Sequence, residues 1–348
     1  MAGIKSLLAS CLVLVASVEA LGSPGCGSSS PVPTGELSSA QSITVEGVER
    51  EYFVYAPSGY INKSAVPVVV VYHGWGRDGE SNLDEAGLMD AAEESGFLLI
   101  SPSGFSDGPG GSWNANGTSS SPGPLGPTCY AGEPDYCYTS CAERAEGCDS
   151  NGCDWTTCVN DTAFTMELLD HIEDRFCVDT SREYVTGFSN GGMMAYTLGV
   201  ALEGRLAAIV PNSGSFPRGF LGTPQGPRGM PLLDLHGDQD PIVPANSTRG
   251  EGWYYTKVDD ILQPWARGND CSSPSSLSHY ATPFDGTDDL YCVAFGASCD
   301  TAPAVRCTFS GGHEWFDSMS GNAGSLIWWF LSQFTNDQEG GREEKVAS

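Results

Sequence analysis

The segment 187–191, GFSNG, places Ser189 between two glycines, a pattern that can present a nucleophilic hydroxyl. It follows a β-type run over 184–186 and precedes a run of helical composition that starts near Gly192. A serine on such a strand, turn and helix needs small neighbours, because its backbone is strained and the adjoining elements approach closely. We predict that Ser189 is a catalytic nucleophile.

A second segment, 104–108 or GFSDG, matches the same five-residue pattern, so the pattern alone is weak. Its serine, Ser106, is followed by Pro109, Gly110 and Gly111, which are poor residues for starting a helix. We interpret Ser106 as a loop residue.

A serine hydroxyl needs a general base, itself oriented by a carboxylate, to act as a nucleophile near neutral pH. His313 lies in a glycine-rich loop directly after the last predicted strand, and Asp240 follows another predicted strand. We assign His313 as the base and Asp240 as the residue that orients it. The chain order Ser, Asp, His is that of the α/β-hydrolases.

Asp238 is the closest rival to Asp240. We favour Asp240 because it lies farther from the strand, with room to turn toward the histidine loop, and because Pro241 braces it. The remaining histidines are interpreted as surface or loop-shaping residues: His73, His171, His236 and His279.

A tetrahedral intermediate needs two backbone donors, one from the residue after the serine and one from the first strand-to-helix loop. These positions correspond to Asn190 and Trp75. The rings of Trp75 and Trp315 have two interpretations, ordinary packing or the wall of a substrate pocket.

The elements that position these residues alternate between buried strands and helices, which predicts an α/β fold with a mostly parallel central sheet flanked by helices. The stretch 103–158 interrupts the alternation with Gly, Pro, Ser and six cysteines, and we expect a disulfide-rich insertion there rather than a zinc site. Strands are predicted at 42–57 (a hairpin), 66–72, 97–101, 183–186, 206–210, 230–235 and 304–309, and helices at 82–95, 162–176, 192–202 and 325–334.

The first twenty residues are typical of a signal peptide with cleavage after Ala20, and twelve of the thirteen cysteines remain in the mature chain. We therefore expect a secreted, extracellular protein with disulfides. Segment 21–41 is predicted to be a flexible lead-in with Cys26 as its candidate anchor, 42–335 one catalytic domain, and 336–348 a polar tail. Sequons begin at Asn62, Asn116, Asn160 and Asn246, and we expect surface positions for those that are glycosylated.

Sixteen basic and 44 acidic residues give a net charge of −28, which argues against a nucleic-acid partner. After the first twenty residues no apolar run approaches the ~20 residues of a membrane span, so no membrane partner is expected. The sequence leaves the oligomeric state open.

Five segments in this chain order resemble the family of secreted polyhydroxybutyrate depolymerases and feruloyl esterases: VVYHG (70–74), YVTGFSNGGMM (184–194), HGDQDPIVP (236–244), WARGNDC (265–271) and GGHEW (311–315). The resemblance covers roughly 42–334. It implies catalytic roles for Ser189, Asp240 and His313, the α/β-hydrolase fold, and ester hydrolysis without a cofactor or metal. The family usually has Pro-Gly after the tryptophan of the last segment, where this chain has Phe316 and Asp317.

The resemblance leaves several substrates open. We rank hydroxycinnamoyl esters of plant cell-wall polysaccharide first, because the cysteine-rich form and the segment 177–182 resemble fungal feruloyl esterases. A 3-hydroxyalkanoate polyester, as for a polyhydroxybutyrate depolymerase, and acetylated xylan are the alternatives. An inactive carbohydrate-binding module on a hydrolase scaffold is the alternative from another class.

Overall fold

The computed structural model describes residues 22–83, 86–133, 136–143, 148, 153–285, 290–299, 301–318 and 321–336. The predicted signal peptide and almost all of the predicted polar tail lie outside these residues and stay predictions.

Within the described residues, ten strands form one sheet and two short strands form a second. The strands are β1 (Gln41–Val45), β2 (Val48–Tyr55), β3 (Val66–Tyr72), β4 (Leu98–Pro102), β5 (Val178–Phe188), β6 (Ala208–Asn212), β7 (Leu232–Gly237), β8 (Ser272–His279), β9 (Leu290–Ala297), β10 (Ala304–Phe309), β11 (Asp317–Ser318) and β12 (Gly321–Asn322). The helices are α1 (Leu88–Ser95), α2 (Thr139–Ala142), α3 (Asp161–Arg175), α4 (Asn190–Ala201), α5 (Val258–Gly268) and α6 (Ala323–Leu331).

The large sheet has the order β1-β2-β4-β3-β5-β6-β7-β10-β9-β8. Its centre, from β4 to β10, is parallel, and antiparallel pairs add β1 and β2 at one edge and β9 and β8 at the other. The predicted α/β class with a mostly parallel sheet is confirmed. The carboxyl ends of β3, β5, β7 and β10 therefore open at one edge of the sheet, where ligands of such sheets bind.

The apolar core lies on both faces of this sheet. Along β3, Val68 and Val70 belong to one buried cluster and Val69 and Val71 to the other, because successive side chains of a strand point to opposite faces. Helices α3, α4 and α5 pack on the first cluster, and α1 and α6 on the second. This explains why the central strands are apolar throughout rather than alternating.

The structure departs from the predicted elements most clearly at α1 and between β7 and β10. Helix α1 begins at Leu88 rather than at Asn82, because Gly87 has a φ of 65°, a left-handed conformation that does not continue a right-handed helix. Helix α5 and the edge strands β8 and β9 had not been predicted at all.

Six disulfides join the twelve cysteines of the described residues, which confirms the prediction that the cysteines after Cys11 are paired. Cys26 pairs with Cys177 at the start of β5, so the lead-in is tied to the central sheet at the cysteine that the sequence singled out. Within the insertion, all six cysteines pair among themselves, and two further disulfides lie near the far edge of the sheet. The pairs after the first are Cys129–Cys153, Cys137–Cys148, Cys141–Cys158, Cys271–Cys299 and Cys292–Cys307.

Three of the four sequon asparagines are exposed, but Asn62 is only 5% exposed. Its side-chain amide donates to the Gly25 carbonyl at 2.9 Å and to the Ser28 hydroxyl at 2.6 Å. Asn62 is therefore not a surface position, and the expectation for glycosylated sequons remains a prediction. Separately, none of the helices in the described ranges has the length and apolar character needed to cross a membrane.

Candidate active site

Ser189 lies on the sharp turn between β5 and α4. Its φ of 56° and ψ of −117° are unusual for a residue with a side chain, and such strain concentrates at functional sites. A Cβ at Gly187 would collide with the Gly191 carbonyl, and a Cβ at Gly191 would collide with the Tyr72 carbonyl. Both glycines are therefore required by close backbone approach, as the sequence pattern predicts.

Asp240 and His313 meet at the same edge of the sheet. Asp240 is 5% exposed, and its Oδ2 accepts a hydrogen bond from His313 Nδ1 at 2.7 Å. Its other oxygen, Oδ1, accepts from the backbone amides of Ile242 and Val243, both at 2.9 Å. The carboxylate is thus held by two amides while it orients the imidazole.

Asp238, the rival carboxylate, is exposed and accepts from the Gly311 amide at 3.2 Å. It fastens the histidine loop to the loop after β7. The structure therefore brings Asp240 to His313 and places Asp238 in a loop contact.

Ser189 and His313 line one cavity of about 250 Å³, together with Arg77 and Asn82. The Phe188 ring lies 4.8 Å from the His313 ring, centroid to centroid, and forms part of the same wall. The second segment that matches the five-residue pattern lies elsewhere, and its serine, Ser106, is an exposed loop residue, as predicted.

Beneath Asp240 lies a fully buried histidine, His236. Its Nδ1 faces Asp234 Oδ1 at 3.1 Å, and its Nε2 faces the Val243 carbonyl at 2.7 Å and Asp240 Oδ2 at 3.7 Å. Burial lowers the pKa of His236, but the Asp234 carboxylate and these hydrogen bonds outweigh burial and raise it overall. Both ring nitrogens face acceptors, so the protonated ring can donate from both of them.

His73 has the loop-shaping contacts that its position suggests. Its Nδ1 donates to the Gly74 carbonyl at 2.7 Å, and its Nε2 accepts from the Gly104 amide at 2.7 Å. Burial lowers the pKa of His73 to about 4, so the ring is neutral. It fastens the loop after β3, which carries Trp75, to the start of the insertion.

The two predicted oxyanion donors lie next to the serine. Gly74 is close enough that a Cβ on it would contact the Ser189 Cβ at 3.4 Å, so the loop that carries Trp75 passes directly beside the nucleophile. The Asn190 side chain is bound to the Trp113 backbone, accepting at 2.8 Å and donating at 3.0 Å. Any contribution of Asn190 to an intermediate therefore comes from its backbone amide.

The two tryptophans singled out as pocket residues differ in position. Trp75 is 36% exposed and lines the 250 Å³ cavity. Trp315 is 7% exposed and packs against Phe188, with ring centroids 5.3 Å apart, so it supports the cavity wall from behind.

A second cavity, of about 180 Å³, is also lined by Ser189. Its aromatic lining comes from three separate parts of the chain: Trp75, Tyr136, Trp155, Trp253 and Tyr255. Of these residues only Trp75 had been considered from the sequence. Tyr136 and Trp155 belong to the cysteine-rich insertion, where aromatic residues among cysteines were the available signal.

A largely parallel sheet with a strained serine between strand and helix, followed in chain order by an aspartate and a histidine at its carboxyl edge, defines the α/β-hydrolase fold. Comparison with known proteins agrees. Residues 160–258 match the family of phospholipases and carboxylesterases. The fold resembles that of an acetyl xylan esterase from Aspergillus awamori with a TM-score of 0.55 at 16% identity, covering 85% of this chain and 99% of that one.

Two relatives extend the similarity over most of the chain. Feruloyl esterase B of Piromyces equi is 24% identical over 296 residues, which is 82% of this chain and 45% of the relative. A bifunctional acetylxylan esterase/xylanase of Neocallimastix patriciarum is 25% identical over 238 residues, 68% of this chain and 28% of the relative. The chain spans less than half the length of these two relatives. These similarities and the site geometry agree on the α/β-hydrolase fold for this chain.

Proposed function

We propose that the chain is a serine carboxylic-ester hydrolase in which Ser189 is the nucleophile, His313 the general acid and base, and Asp240 the residue that orients His313. The observation that carries the proposal is the 2.7 Å contact between Asp240 and His313, with Ser189 and His313 lining one cavity. The strained conformation of Ser189 adds support.

The chemistry proceeds in two acyl transfers. Ser189 Oγ attacks the ester carbonyl while His313 takes its proton, and Asp240 stabilises the imidazolium that forms. The backbone amides of Asn190 and Trp75 donate to the developing oxyanion. His313 then protonates the departing alcohol, and a water molecule, activated by His313, releases the acid from Ser189. The reaction uses this chain's own residues and no cofactor.

We propose that the substrate is a hydroxycinnamoyl ester of plant cell-wall polysaccharide, and that the protein acts outside the cell. The name of the Piromyces relative and the aromatic cavity beside Ser189 support the substrate, and the six disulfides support an oxidising compartment. Acetylated xylan is the second candidate, because two similar proteins are named acetylxylan esterases.

The test is a panel of methyl ferulate, acetylated xylo-oligosaccharide and a 3-hydroxybutyrate oligomer, assayed with the wild type and with Ser189→Ala. We expect the highest kcat/KM for methyl ferulate and a loss of at least about 10³-fold in Ser189→Ala. Ser106→Ala is the matched control and should keep wild-type rates. Activity on the oligomer alone would replace the proposed substrate. A wild type that hydrolyses none of the esters would leave an inactive binding module as the better interpretation.

A further inference from the structure

The 180 Å³ cavity beside Ser189, which we call the aromatic cavity, is lined by Trp75, Tyr136, Trp155, Trp253 and Tyr255. The 250 Å³ cavity that His313 lines, which we call the polar cavity, has Arg77, Ser81 and Asn82 in its lining beside the apolar Phe188 and Ile242. Ser189 and Trp75 line both cavities. Ser189 therefore lies where the two cavities meet.

The rings of the aromatic cavity are held by one another and by the insertion. Trp75 Nε1 donates to the Tyr138 hydroxyl at 3.0 Å and to the Trp155 carbonyl at 2.9 Å, and its ring meets the Tyr136 ring edge to face at 5.5 Å. The Trp155 and Trp253 rings lie 5.7 Å apart. The cavity is thus built from aromatic contacts that fix each ring's orientation.

Disulfides and a backbone bridge keep the insertion in this position. Cys129 pairs with Cys153, which lies two residues before Trp155. Cys137, which directly follows Tyr136, pairs with Cys148. Cys129 also forms an antiparallel bridge with Trp253. The insertion therefore brings its rings to the site as a cross-linked unit, in the way that a preorganised binding pocket requires.

The position of His313 distinguishes the roles of the two cavities. In the proposed reaction His313 gives its proton to the oxygen of the departing alcohol, so the alcohol must lie on the side of Ser189 that His313 lines. His313 lines the polar cavity, and the residues that line the aromatic cavity do not include it. The acyl group, on the opposite side of the ester carbonyl, then faces the aromatic cavity.

We propose that the aromatic cavity is the acyl-binding site and selects a planar aromatic acid, while the polar cavity receives the sugar alcohol. The inference rests on the proposed esterase function and assigns its specificity to the insertion. A flat conjugated ring stacks on tryptophan and tyrosine and fills the cavity, whereas an acetyl group leaves those rings without a partner. Arg77, Ser81 and Asn82 offer hydrogen bonds to sugar hydroxyls in the polar cavity.

The test compares two esters that separate the acyl group from the alcohol: methyl ferulate has an aromatic acid and no sugar, and acetylated xylo-oligosaccharide has sugar and no aromatic ring. Trp253→Ala and Trp155→Ala should lower the kcat/KM ratio of ferulate to acetyl ester by about 10- to 100-fold, mainly through KM. Trp253→Phe should restore most of the ratio. Tyr291→Ala, which removes a 62% exposed ring on β9, should leave the ratio unchanged.

The outcomes separate this inference from the proposed function. If wild type hydrolyses both esters but the Trp253→Ala ratio stays within threefold of wild type, the cavity does not bind the acyl group. A selective loss on the acetylated oligosaccharide would show that the rings bind sugar, which also overturns the inference. If the wild type hydrolyses neither of these esters nor the 3-hydroxybutyrate oligomer, the proposed esterase function itself is refuted.

A second measurement does not depend on the tryptophan variants folding. In Ser189→Ala, binding of methyl ferulate should quench tryptophan fluorescence, and the acid ferulate should compete for the same site, whereas acetate should not. If methyl ferulate causes no saturable quenching, the assignment of the aromatic cavity is refuted.

Discussion

Replacing Asp240 with Asn should reverse the hydrogen bond that orients His313. Oδ1 of Asp240 accepts from the amides of Ile242 and Val243, so the oxygen of an asparagine stays there and its NH₂ faces His313 Nδ1. The NH₂ group can only donate, so Nδ1 must become an acceptor. The proton of neutral His313 then moves to Nε2, the nitrogen that has to take the serine proton.

The size of this effect follows from the tautomer. Forcing the wrong tautomer in a serine triad lowers kcat by about 10⁴-fold, or about 5.5 kcal/mol of activation free energy. Steady-state hydrolysis of methyl ferulate measures kcat, and a thermal unfolding curve checks that Asp240→Asn remains folded. Asp238→Asn is the matched control, because Asp238 is exposed and makes only loop contacts, and its kcat should stay within about threefold of wild type. If Asp240→Asn keeps more than a tenth of wild-type kcat, or if the control loses as much, the assignment is wrong.

The two remaining predictions concern stability. Removing the Cys26–Cys177 disulfide by double serine substitution should lower the free energy of unfolding by about 5 kcal/mol, because this disulfide closes a loop of 151 residues. Removing Cys292–Cys307, which closes 15 residues, should lower it by about 3 kcal/mol. Calorimetry that gives the reverse order would contradict this prediction. Because the folded pKa of His73 is lowered to about 4 from 6.5, the unfolded chain binds more protons between these values. His73 therefore lowers the free energy of unfolding by about 3 kcal/mol, progressively, as the pH falls from 6.5 to 4. Denaturant titrations at several pH values should show that His73→Gln lacks this part of the pH dependence.

The central strands were predictable because the sheet buries them on both faces. The continuous β-branched run of β3 and the run of β10 have the bounds that the sequence predicts. Edge strand β8 gives no such signal, since its sequence SSPSSLSH is largely exposed and it is extended by pairing with β9. Pairing with a neighbour over long sequence distance is not visible in local composition.

Helix α5 was missed although it contains a helical signal. Val258, Ile261, Leu262 and Trp265 are buried at the spacing of one helix face, but Pro264 interrupts a favourable helical sequence. Packing of that face on the core, together with the neighbouring β10, outweighs the lost backbone bond. Helix α5 therefore forms because of its burial in the core, although its local helix propensity is low.

The candidate triad was accessible from the sequence because each residue follows a predicted parallel strand, and such strands end at one edge. The aromatic cavity was not accessible in this way. Its rings stand at positions 75, 136, 155 and 253, and they meet only after the insertion is folded back and cross-linked. Disulfide pairing cannot be predicted from cysteine positions alone. The aromatic cavity could therefore not be predicted from the sequence, because its position depends on that pairing.

The most direct test of the central claim is covalent labelling with a fluorophosphonate, followed by mass mapping of the modified peptide. Such probes phosphonylate a serine only when its hydroxyl is activated by a base. Our account predicts one adduct, on Ser189, that disappears in Ser189→Ala and persists in Ser106→Ala. An unlabelled wild type, or an adduct on Ser106 instead of Ser189, would contradict it.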